Sequence, residues 1–116
     1  MRTLAVALLA LGLGLSGCAR PDPVDYVRAL ERMAMLTERH TRNCAAMARA
    51  LERFFERDGD VIRRWNAEDH RLTRHERARL EGPRLGPRVR AAMKRLMPGH
   101  LRCQDHPAVQ AAFETL

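Results

Sequence analysis

Two groups of metal-ligating side chains could do chemistry in this sequence. His40 and Cys44 lie four residues apart, so a helix would carry both on one face. His100, Cys103 and His106 recur at intervals of three near the C-terminus. With the thiols reduced, Cys44 and Cys103 plus two of His40, His100 and His106 would make a tetrahedral zinc set. The spacing matches no common zinc pattern, and Cys-x-x-Cys elements are missing. Covalent haem would need Cys-x-x-Cys-His, which is missing too. Non-covalent haem held by Met33 or Met47 with a histidine has no signature of its own. A metal- or haem-binding helical bundle is therefore the second reading, and the first expects no cofactor.

Catalytic sets are equally hard to assemble. No serine follows Ser16, and Glu68, Asp69 and His70 are consecutive, so they diverge around a helix. Other acids alternate with arginines, as in Glu38/Arg42, Arg49/Glu52 and Arg53/Glu56, which is the pattern of a solvated helix face. No enzyme is expected.

The N-terminus carries a sharper message. Arg2 precedes an apolar run from Leu4 to Leu15. As a helix this run would cover only ~18 Å of a ~30 Å hydrocarbon core, too short for a span. It ends in Leu15-Ser16-Gly17-Cys18, which resembles the lipobox of bacterial lipoproteins: a branched apolar residue, two small residues, then cysteine. The resemblance implies that residues 1–17 are a cleaved signal peptide and that Cys18 is the lipid-bearing first residue. After it, a short tether over 18–22 and a helical domain over 23–116 are expected. Lipoproteins retained in the inner membrane of enteric-type bacteria carry Asp after the cysteine. Ala19 stands there, which points to the outer membrane, facing the periplasm. The downstream part resembles the small arginine-rich helical lipoproteins of bacterial envelopes, a likeness that carries over no functional residues.

If Cys18 is lipidated, Cys44 and Cys103 are the remaining thiols, and an even pair in an oxidising compartment is expected to form a disulfide. That compartment also argues against nucleic acid as a partner.

Charge is unevenly spread. The chain has a formal net charge of +7, and residues 63–102 hold twelve basic and four acidic side chains. The expected contact face comprises Arg71, Arg74, Arg77, Arg84, Arg88, Arg90, Lys94 and Arg95, facing an anionic envelope component or an envelope protein.

The elements that must position these groups read as helices throughout. Asp22-Pro23 is a helix start, and apolar or small residues then recur at heptad spacing from Val27 through Cys44 to Phe55. The pattern predicts one long helix over 23–57, about 52 Å in length, or the same segment kinked near Thr41–Asn43. A second helix is expected from Asn66 to Leu80, and a third over 87–97 with Val89, Ala92, Met93 and Leu96 inward. Pro98-Gly99 reads as a turn, and a last short helix begins at Asp105-His106-Pro107. The expected fold is all-α: an elongated open bundle of three to four helices dominated by the long N-terminal one.

Overall fold

A computed structural model describes residues 22–67 and 72–116. Residues 1–17, expected to be a signal peptide, Cys18, the expected tether before Asp22, and Arg71 lie outside the described residues. The described part is all-helical, with six helices: α1 (Pro23–Arg39), α2 (Cys44–Arg57), α3 (Gly59–Ala67), α4 (Arg74–Glu81), α5 (Gly86–Cys103) and α6 (Pro107–Glu114).

The long helix is therefore two helices. α1 starts where the sequence places it: the Asp22 carboxylate accepts from the Val24 N–H at 2.8 Å, and Pro23 occupies the first turn. It stops at His40, whose N–H is shared between the Leu36 and Thr37 carbonyls. The Thr41 hydroxyl donates to the carbonyls of Thr37 and Glu38, satisfying groups that a continuing helix would have used. Asn43 then opens α2, its side chain accepting from the Ala46 N–H at 3.0 Å. Two caps back to back break the periodic pattern without glycine or proline. The two apolar stripes fold against one core, and the elongated architecture of three to four helices gives way to a six-helix bundle.

The helical run ends at Arg57, as the pattern predicts, but no loop follows it. Asp58 closes α2 and α3 begins at once, burying Ile62 and Trp65. The Trp65 ring stacks on Tyr26 of α1 with centroids 5.1 Å apart. α4 starts eight residues later than the sequence pattern suggested, at a capping box in which Thr73 and Glu76 each accept the other's backbone N–H. No residue of α4 is buried.

α5 runs straight through Pro98-Gly99 to Cys103, so the expected turn is absent. Pro98 leaves the Lys94 carbonyl without its helical donor, but both residues are exposed and water can serve that carbonyl. α5 directs Ala92, Leu96, Gly99 and Cys103 inward, whereas Met93 is 37% exposed rather than inward as expected. α6 adds Val109 and Ala112 to the core, as its start signal indicated.

α1 makes its most extensive contact with α5. Two ion pairs record the register, Glu31–Arg88 and Glu38–Arg95, each 57 residues apart, and Asp22–Arg79 ties the start of α1 to α4 at the same separation. A constant offset in the same chain direction means that α1 and α5 run parallel. The intervening helices carry the chain back to the starting end.

Candidate functional site

Cys44, the first residue of α2, and Cys103, the last of α5, are joined by a disulfide with their Cα atoms 5.3 Å apart. Bridged sulfurs are not thiolates, so neither can ligate zinc in this state. The candidate histidines are distributed among three settings. His40 closes α1, His100 stacks on Phe113 at 4.5 Å, and His106 caps α6. The His106 Nδ1 is buried without a hydrogen-bond partner in the described structure. Among the described residues no three His, Cys, Asp or Glu side chains converge as a metal site.

The basic residues separate into two sets. Arg88 grips Glu31 with two guanidinium nitrogens, one at 3.1 Å, and Arg95 grips Glu38 at 2.9 and 2.8 Å. Such forked pairs fix orientation as well as charge. These two arginines serve the α1–α5 contact. Arg74, Arg77, Arg84, Arg90 and Lys94 are exposed.

The ladder perturbs its carboxylates. The hydrogen bond from Arg88 holds the Glu31 carboxyl below its ordinary value of 4.5, and that from Arg95 does the same for Glu38. Asp22 is likewise lowered from 3.8, first by the Val24 N–H and then by Arg79. Because these values fall on folding, the stabilisation is present above about pH 4.5 and is lost as pH drops through the folded values. Thermal melts at pH 7 and pH 3 are expected to show this acid loss. In Glu31→Gln/Glu38→Gln the drop should be smaller by a few degrees, since exposed pairs are screened and individually weak. An identical drop in both proteins would remove the ladder from the account.

One feature was not anticipated from the sequence. Met93, Met97 and Leu101 of α5 are 37%, 50% and 59% exposed. Their i, i+4, i+8 spacing places them on one stripe, away from the buried Ala92, Leu96 and Cys103. The signal was present: α5 is apolar on two sides, and only one of them can face the core. Beside the stripe, Met93, Leu96, Met97, His100, Phe113 and Leu116 line a groove of about 390 Å³ between α5 and α6. Arg90 and Lys94, also four apart, flank the stripe on its solvent side.

Comparison with protein-family models, curated proteins and solved structures finds no match for this chain.

Proposed function

We propose that the chain is a non-enzymatic lipoprotein of the bacterial cell envelope, anchored through Cys18, with its helical domain in the periplasm at the outer membrane. Its exposed cations would meet an anionic envelope component or an envelope protein. The observation that carries this reading is the use of the three cysteines. Two of them, 59 residues apart, meet in a bridge at the junction of α2 and α5. Such a bridge suits an oxidising compartment, and it leaves Cys18 alone at the end of a lipobox-like sequence. Acyl chains at roughly 0.8 kcal/mol per buried CH₂ would make two or three chains a stable anchor. The paired thiols and scattered histidines favour this reading over a metal- or haem-carrying bundle.

The test is Cys18→Ser in a Gram-negative host supplied with an alkyne-tagged fatty acid. The unsubstituted protein is expected to take up the label, lose residues 1–17 and fractionate with outer membranes. The variant is expected to remain an unlabelled precursor. Normal labelling and processing of Cys18→Ser would overturn the proposal.

A further inference from the structure

We infer that the outer face of α5 is a membrane-docking surface, on which the domain lies flat against anionic lipid headgroups. This rests on the lipid anchor proposed above. The face combines two properties rarely found together on an unpartnered surface. Met93, Met97 and Leu101 form an exposed apolar stripe continuous with the α5–α6 groove, and Arg90 and Lys94 run beside it. An apolar stripe with adjacent cations is the pattern of a helix lying in the bilayer interface. Among the described residues no helix is long and apolar enough to cross a membrane, so the contact would be shallow.

The occupant follows from how close the proposed anchor stands to α1. Asp22 begins α1, and Cys18 is four residues upstream, within about 14 Å even when fully extended. α1 lies directly against α5, and packed helix axes are about 8–10 Å apart. The tether is thus long enough to cross one helix layer but too short to lift the domain far from the bilayer. Parallel packing lets α5 lie along the membrane while α1 starts at the anchor. Arg88 and Arg95 are held by Glu31 and Glu38, which leaves Arg90 and Lys94 to meet the headgroups.

The experiment uses the full lipidated protein, whose intact mass first reports acylation. It is reconstituted in phosphatidylcholine vesicles with or without phosphatidylglycerol and exposed to dilute hydrogen peroxide. Methionine sulfoxide is read at each site by mass spectrometry. Met35 is 47% exposed but lines the separate α1–α2 groove, so it serves as the internal control. Oxidation of Met93 and Met97 relative to Met35 is expected to slow at least about fivefold on the anionic vesicles, since each cation near such a surface contributes about that factor. Arg90→Glu/Lys94→Glu is expected to remove the protection while the protein stays anchored. Equal oxidation on both vesicles, or protection that survives the charge reversal, overturns the inference. Protection seen only after adding envelope proteins assigns the face to a protein partner and overturns it as well. An unacylated N-terminus would instead fail the anchor; co-sedimentation of the unlipidated chain with anionic vesicles, lost on charge reversal, would still support the docking face.

Discussion

Replacing both bridged cysteines, as Cys44→Ala/Cys103→Ala, is expected to lower the unfolding free energy by about 2–4 kcal/mol. The bridge closes a loop spanning 59 residues, for which the chain-entropy model gives roughly 4 kcal/mol, and removal of native bridges typically costs 2–5. Small domains have little stability in reserve, about 5–15 kcal/mol in all. The geometry makes this loss a concentrated one. Cys103 is 1% exposed at the end of α5, and Cys44 directly follows the turn where the N-terminal pattern breaks in two. Without the bridge, the α1–α2 corner would be held to α5 by packing and the exposed Glu38–Arg95 pair. Urea unfolding should shift its midpoint down by roughly 2 M for a domain of this size. The same shift should follow treatment of the unsubstituted protein with a reductant. Alkylation under denaturing, non-reducing conditions supplies a direct check: two free thiols at Cys44 and Cys103 would sink the prediction.

How much of this was legible depended on whether the signal was apolar or polar. The positions facing the core follow from spacing: Leu30, Met33, Met47, Leu51 and Leu96 are all buried as the helical period requires. The starts at Asp22-Pro23 and His106-Pro107 were legible because proline belongs in a first helical turn and not in its interior. The break after α1 was harder, because an apolar period passes unbroken through Thr41-Arg42-Asn43. What decides it is hydrogen bonding by two short polar side chains, Thr41 backward and Asn43 forward. Pro98-Gly99 misled in the opposite direction. The pair usually marks a turn, but Pro98 sits on the exposed side of α5, and Gly99 is needed for contact rather than for turning.

The basic face shows a second limit of linear reading. Arg88, Arg90, Lys94 and Arg95 stand within eight residues, yet they point two ways around α5. Arg88 and Arg95, seven apart, meet Glu31 and Glu38, also seven apart, so matching heptad positions on parallel helices form a ladder. Arg90 and Lys94 fall on the other side, beside the methionines. A charge count cannot separate these roles; the pairing partner lies 57 residues away.

Gly99→Ala is expected to destabilise the domain by about 1–2 kcal/mol, against the usual gain of about 1 for this change inside a helix. A Cβ at Gly99 would stand 2.2 Å from the Thr37 Cγ2 and 3.0 Å from the Met47 Cε. The methionine tip can move, but the threonine methyl cannot do so cheaply. Thr37 is fully buried, its branched side chain has few rotamers, and its hydroxyl donates to the Met33 carbonyl at 2.8 Å. Rotating the methyl away would break that bond, so α1 and α5 must separate, at the typical overpacking cost of about 1–3 kcal/mol. Gly99→Val, with two more methyl groups, should cost about 3 kcal/mol or more. Thr37→Ser keeps the hydroxyl and removes the obstructing methyl. It should cost about 1 kcal/mol alone and rescue Gly99→Ala in combination, giving a coupling energy of about 1 kcal/mol or more in a double-mutant cycle. Additive effects, or a Gly99→Ala protein more stable than the parent, would mean that α1 and α5 do not approach at Thr37 and Gly99. The parallel register on which the ion-pair ladder and the membrane-facing side of α5 depend would then have to be redrawn.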